Sequence, residues 1–297
     1  MADRMDIRAF SSEVEAGSRQ ENASNQESRA PFRFNRNGEG SSRNFIEQLS
    51  WDEVARRIEN GAAAILPIGA GAKEHGFHLP MNTDRIQAEA LAAHLADSLD
   101  ALIWPTVTYG YYPAFVEYAG SGSLSASVFE SVISEIVTAI AGFGCRALFV
   151  LDTGVSTRAP VDRALARLGA FNVRHLRIHE GPRYRRAAAE LAEQSHGSHA
   201  DELETSLMLA LAPELVNMAR AEASPAANGE TAGPLTPRDP SSPNYSRSGS
   251  YGDPTLATPA KGETLLAAMV EDLAEQVAAF LATQKPMDRK KQRGVPG

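Results

Sequence analysis

The hydrophobic positions of this chain fall into short blocks whose period alternates. The block at 62–68 is continuously apolar and partly β-branched, with Gly61 before it and Gly69 after it, and reads as a short strand buried on both faces of a parallel sheet. Ahead of it, Leu49, Val54 and Ile58 follow helical spacing, and Ser50 with Glu53 three residues later is an N-terminal capping signature. Beyond a loop at 69–84, Ile86, Ala90, Leu91, His94, Leu95 and Leu99 form one helical stripe. His94 on that stripe reads as a core or edge histidine. The pattern then predicts a strand at 101–107, a long helix at 127–142, and at 146–152 the clearest buried strand of all. A helix near 159–168, a strand near 172–178 and a helix near 200–211 follow. A last amphipathic helix, about 262–281, carries Leu265, Leu266, Met269, Leu273, Val277 and Phe280. Strands alternating with helices predict an α/β fold with a doubly wound, mainly parallel central sheet.

Two stretches lie outside this alternation. Residues 1–43 are rich in Ser, Asn, Arg, Glu and Gly and lack aliphatic periodicity, so they cannot bury enough surface to offset the entropy of ordering. They are expected to be a disordered tail or an arm used in assembly, ahead of a single domain at 44–283 and a polar tail at 284–297. Within the domain, 221–250 turns to Pro, Gly, Ser and Asn and is expected to be a long surface loop.

Composition narrows the function. A length of 297 residues with 43% hydrophobic content supports a sizeable core. The net charge of −8 argues against a nucleic acid or an anionic membrane as partner, and the short cluster Arg289-Lys290-Lys291-Gln292-Arg293 reads as a solvated end. No apolar run approaches the roughly 18 residues that span a bilayer, and the N-terminus lacks a secretory layout, so a cytoplasmic location is expected. One cysteine, Cys145, excludes an intramolecular disulfide and a Cys-rich zinc site, and its place after Gly-Phe-Gly suggests packing.

The chemistry concentrates in two places. Just past the strand at 62–68 come Glu74, His75, His78 and Asp84, at the carboxyl end of a strand, where open α/β sheets keep their sites. Their carboxylate and imidazole donors suit a divalent metal such as zinc or manganese. The competing structural reading has the histidines bonding the loop and Asp84 capping a helix that starts at Arg85. The second place is 195–211, where His199 precedes a helix carrying Glu202 and Glu204. A histidine beside carboxylates can be a general base or a ligand, whereas Glu202 fits an acidic first turn complementing the helix dipole.

Together these stretches resemble the creatininase family of metal-dependent amidohydrolases. The residues that carry the resemblance are Leu66-Pro67, Gly69, Glu74, His75, Gly76, His78, Asn82 and Asp84, then His199, Glu204-Thr205-Ser206 and Met208-Leu209-Ala210-Leu211. It spans roughly 45–282. It implies a three-layer α/β/α fold, a homo-oligomer that is often a hexamer, and a centre of one or two divalent ions, zinc or manganese. That centre would activate water to cleave a C–N amide bond, cyclic or linear, in a small-molecule substrate. Position by position, Asp84 matches the family's bridging aspartate and His75 its histidine ligand. Glu74 directly precedes His75, where the family leaves one residue between, so Lys73 takes the usual glutamate position. His199 matches the catalytic histidine, Glu204 follows at the expected spacing, and His78 is a replacement ligand. The family's Asn-Gly-His-x-x-Asn segment is represented by Asp152-Thr153-Gly154-Val155-Ser156-Thr157, which lacks the imidazole and carboxylate. One metal is then retained, or Asp152, His78, His199 or Asp201 fills the gap, or the centre is lost. The alternatives to amide hydrolysis are a lactone or cyclic ketone as substrate, or a silent scaffold.

Overall fold

The computed structural model describes residues 41–169, 171–224 and 234–284. Four strands, β1 (Ala63–Ile68), β2 (Ala101–Ile103), β3 (Leu148–Asp152) and β4 (Val173–Arg177), form one sheet in the order β2-β1-β3-β4. All three pairings are parallel, and the β1–β3 ladder ends on Ile68 opposite Asp152. The order reverses between β1 and β3, so the crevice past Ile68 and Asp152 is the topological switch point where sheets of this kind bind ligands.

Seven α-helices, α1 (Trp51–Glu59), α2 (Thr83–Leu99), α3 (Ala126–Gly142), α4 (Arg158–Ala166), α5 (Pro182–Leu191), α6 (Glu202–Leu211) and α7 (Pro259–Thr283), cover the sheet among the described residues. Alternate strand residues explain the layers. Ala64, Leu66, Ile68, Leu102, Leu148 and Val150 pack with Phe129, Ile133, Val137 and Ile140 of α3 and with Val161 and Ala164 of α4, with Val54 and Ile58 of α1 against them. On the other side the Phe149 ring meets Phe280 of α7 edge to face at 5.8 Å, and α2 lies on β1 and β2 beside α6 and α7. This is the three-layer α/β/α arrangement that the family resemblance implied. Phe129, Ile133 and Val137 are fully buried, each stabilising the docking of α3 by about 1.5–3 kcal/mol.

The elements follow the hydrophobic pattern with informative departures. In α1 the Glu53 carboxylate accepts the Ser50 backbone N–H at 3.1 Å, the reciprocal bond of the capping box, and also the Ser50 hydroxyl at 2.9 Å. The strand expected over 101–107 stops at Ile103, since Pro105 has no N–H to donate. The chain nonetheless stays beside β1 through Trp104 N–H to Ile65 C=O and Val107 N–H to Pro67 C=O. Helix α5 was not expected. It is polar and has no fully buried residue, and its start is held from outside, by the Asp272 carboxylate of α7 accepting the Arg183 and Tyr184 N–H groups at 3.2 and 2.9 Å.

The described parts of the 221–250 stretch, 221–224 and 234–250, carry no helix or strand, and some of their side chains are enclosed. Ser246, Ser248 and Ser250 are buried, because small side chains and Gly249 let the backbone pass directly over Glu74. Residues 1–40 of the expected arm, the cluster Arg289–Arg293 and the rest of 285–297 lie outside the described residues. Cys145 is buried, its thiol pushed up to about 11 by burial, in keeping with a packing role. Among the described residues no helix is long and apolar enough to cross a membrane.

Candidate metal centre

The loop that leaves β1 must turn back at once, because α2 begins at Thr83 with Asn82 as its N-cap. Gly69 permits the close approach: a Cβ there would lie 2.5 Å from the Asp84 carbonyl oxygen. Asp84 therefore falls inside the first turn of α2 rather than at its cap, and its carboxylate points into the switch-point crevice. There it meets the Lys73 ammonium at 2.7 Å through Oδ2 and His75 Nε2 at 3.1 Å through Oδ1. From the far side of the crevice, α6 brings Glu204, with Asp201 capping the helix through the Leu203 and Glu204 N–H groups at 3.0 Å. His199 enters just before it, where Ala200 adopts φ of 46°.

The result is a continuous string of alternating charge and imidazole. Lys73 pairs with Asp84, Asp84 with His75, His75 Nε2 lies 3.8 Å from Glu204 Oε1, Glu204 Oε2 lies 3.6 Å from His199 Nδ1, and His199 Nε2 lies 3.3 Å from Glu74 Oε2. All are buried except Glu204, whose side chain is 19% exposed and so forms the open edge. Gln87 donates to Glu204 Oε1 at 3.3 Å and the Ala200 N–H to Oε2 at 2.7 Å.

Two backbone carbonyls fix the tautomers. Carbonyls only accept, so His75 Nδ1, 2.9 Å from the Lys73 C=O, and His199 Nε2, 2.8 Å from the Glu74 C=O, both carry protons. In the neutral rings, His75 Nε2 and His199 Nδ1 are left with lone pairs aimed at carboxylate oxygens. That is repulsive until a cation stands between them. Two imidazole nitrogens and the Glu204 carboxylate have ligand atoms within 4.8 Å of one another, a donor set suited to zinc or manganese. Each histidine's second nitrogen is already held by a backbone carbonyl, as is usual for metal-ligating histidines. The residues present therefore fit a divalent ion on His75, His199 and Glu204.

The electrostatics favour the charged forms of Lys73, Asp84, Glu204 and His199. Burial opposes the Lys73 charge, yet Asp84 and Glu204 raise its pKa above the usual lysine value. Burial likewise opposes the Asp84 charge, and Lys73 and His75 overcome it, holding the carboxyl well below the usual range. Glu204 behaves in the same way: burial resists ionisation, and His75 and His199 lower its pKa despite it. For His199, burial disfavours the charge while the Glu74 carboxylate raises the pKa above the usual imidazole value.

Of the six residues singled out from sequence, five belong to this string and His78 does not. His78 Nε2 is bonded to the Thr205 hydroxyl at 2.7 Å, and burial pushes its pKa down to about 4, so it braces α6 from behind. Glu74 and Asp84 lie beside the converging ligand atoms, Glu74 against His199 and Asp84 between His75 and Lys73. Among the residues that might fill the gap after β3, only His199 joins His75. Asp152 is occupied by the Thr157 hydroxyl at 2.8 and 2.9 Å, the Gly154 N–H at 2.9 Å and His175 Nε2 at 3.2 Å, and Asp201 is spent on capping. Glu202, in the first turn of α6, is fully buried and accepts from the Glu193 and Gln194 N–H groups and from Lys261. Phe115 lies beyond what spacing could reveal. Its ring lies tilted against His199 at 4.5 Å and under the Lys73 ammonium at 4.8 Å, and no sequence signal pointed to it.

Comparison with known proteins gives a consistent picture. The family model described as creatinine amidohydrolase, the creatininase family, matches residues 47–277. The chain is similar to creatinine amidohydrolase of Pseudomonas putida, with 26% identity over 252 residues, 78% of this chain and 95% of that protein. It is also similar to the mycofactocin precursor peptide peptidase of Mycobacterium ulcerans (strain Agy99), with 31% identity over 232 residues, 73% and 84% of the two chains. Among solved structures, a creatininase described with Mn superposes with a TM-score of 0.67 at 26% identity, over 80% of this chain and 98% of that one. A single-site mutant of creatininase in a form described as Zn-Zn gives 0.65 at 25%, over 79% and 97%.

Proposed function

We propose, from the premise that the chain belongs to the creatininase family of metal-dependent amidohydrolases, that it hydrolyses a C–N amide bond in a small molecule, cyclic or linear. The observation that carries the reading is the pair of lone pairs at His75 Nε2 and His199 Nδ1, fixed by two backbone carbonyls and converging with Glu204. When bound, a divalent ion, zinc or manganese, supplies Lewis acidity that polarises the substrate carbonyl and acidifies water. His75, His199 and Glu204 would hold it. The Lys73 carbonyl orients the His75 ring through Nδ1 and Glu74 orients His199 from behind, so neither ring has to reorganise during turnover. Glu204 sits at the open edge, where the carboxylate oxygen not engaged with an ion can accept the proton of the attacking water and return it to the leaving nitrogen as the C–N bond breaks and the C–O bond forms. His199, which the sequence suggested as the proton carrier, is placed by this reading in the holding set. The chain is read as a homo-oligomer, as the family resemblance implies.

A peptide amide is the second reading, favoured by the 31% identity to a peptide peptidase against 26% to the creatinine enzyme. A panel of small cyclic amides, linear amides and short peptides, run with protein reconstituted with zinc or manganese, separates the two. Turnover of any amide that is lost in His75→Ala, together with loss of the ion, is the expected result. Metal-loaded protein that turns over only lactones or cyclic ketones would overturn the amide reading.

A further inference from the structure

The similarity to a creatininase mutant in a form described as Zn-Zn raises the question of what occupies the other half of this crevice. We propose that the Lys73 ammonium is a resident cation that stands in place of a second divalent ion, so that the chain binds one ion, on His75, His199 and Glu204, and not two. The proposal rests on the reading that those three residues hold an ion.

Asp84 shows the arrangement directly. Its two oxygens serve two different cationic positions: Oδ1 faces His75 Nε2 at 3.1 Å, and Oδ2 faces Lys73 Nζ at 2.7 Å. A carboxylate shared in this manner does the work of a bridging ligand, with an ammonium at one end. Lys73 is held there by burial, its side chain 9% exposed, and by the faces of Phe115 and Tyr112 at 4.8 and 5.7 Å from its nitrogen. Among the described residues, the turn after β3 supplies nothing that a second ion could use. Ser156 Oγ donates to the Tyr111 C=O at 2.6 Å, Gly154 has no side chain, and the Asp152 carboxylate is committed to Thr157, Gly154 and His175.

Charge balance points the same way. The site contains three carboxylates, Glu74, Asp84 and Glu204, against one ammonium, Lys73, with the two imidazoles neutral when ligating. The remaining two negative charges match one divalent ion. A carboxylate in place of Lys73 would leave four negative charges, matching two. Buried charge without a counterion is costly, so the site should load to neutrality and no further.

The test is metal stoichiometry on the full-length chain, stripped, dialysed against zinc or manganese and measured by elemental analysis, with titration calorimetry for affinity. Wild type should hold one ion per chain and Lys73→Glu two. Lys73→Met removes the charge without adding a ligand; it should still hold one ion, but at least tenfold more tightly, because Asp84 Oδ2 is released and the repelling ammonium is gone. If Lys73→Glu fails to fold, the Lys73→Met affinity decides alone. Two ions in wild type would overturn the proposal and leave the hydrolase reading standing. One ion in both wild type and Lys73→Glu, with unchanged or weaker binding in Lys73→Met, would also overturn it. No ion in any folded form would sink the metal-holding reading itself, and this inference with it.

Discussion

His78 gives a quantitative handle on the brace behind the site. It is 2% exposed, accepts or donates to the Thr205 hydroxyl at 2.7 Å, and has its pKa pushed down to about 4 by burial, against about 6.5 in an unfolded chain. A histidine whose folded pKa is depressed binds its proton more readily when unfolded. Stability is therefore intact at neutral pH, begins to fall as pH drops through about 6.5, and levels off below about 4, with a total loss of about 3 kcal/mol. Against a typical net stability of roughly 5–15 kcal/mol that is a large fraction. The assay is urea unfolding followed by circular dichroism at pH 7.0 and 4.5, with chelator present, for wild type and His78→Gln. Glutamine keeps a hydrogen-bonding group for Thr205 and does not titrate in this range. The other titrating groups are common to both proteins, so the difference between the two pH-induced losses isolates residue 78. Wild type should lose about 2–3 kcal/mol more than the variant over this interval. Parallel losses would refute the argument that buried, neutral His78 supports α6.

Two further outcomes follow from contacts around the site. Lys261→Met should lower stability by about 3 kcal/mol, because it strands the fully buried Glu202 carboxylate that ties α6 to α7; thermal unfolding measures it, and Lys261→Met/Glu202→Met should recover most of the loss. Gly249→Ala should weaken ion binding by about tenfold, since a Cβ at φ of 92° would fall 1.9 Å from Glu74 Oε1 and drive that carboxylate off His199; calorimetric titration with zinc checks it, and unchanged affinity would show that Glu74 does not hold His199 in place.

The sequence alone determined the layered fold and the identity of most groups in the crevice. Continuous apolar strands alternating with helical stripes admit few architectures besides a parallel sheet covered on both faces, and β1, β3 and α6 lie where their periodicity put them. Local spacing also brought Glu74, His75 and Asp84 onto one loop and His199 and Glu204 onto one helix start. It failed for α5, whose initiating carboxylate, Asp272, is contributed by α7 some 88 residues away in sequence from Tyr184. It could not distinguish His78 from His75 either, although they are three residues apart, because the choice depends on the path the folded loop takes and on a partner in α6. Thr205 of α6 takes the His78 nitrogen, whereas a Lys73 carbonyl turns His75 so that its lone pair faces the crevice. The pairing of Glu74 with His199 and the seating of Lys73 between Asp84 and Phe115 are likewise tertiary. Burial is what gives those contacts their force: an ammonium or an imidazole takes its role from the charges within a few ångströms, and only folding decides which charges those are.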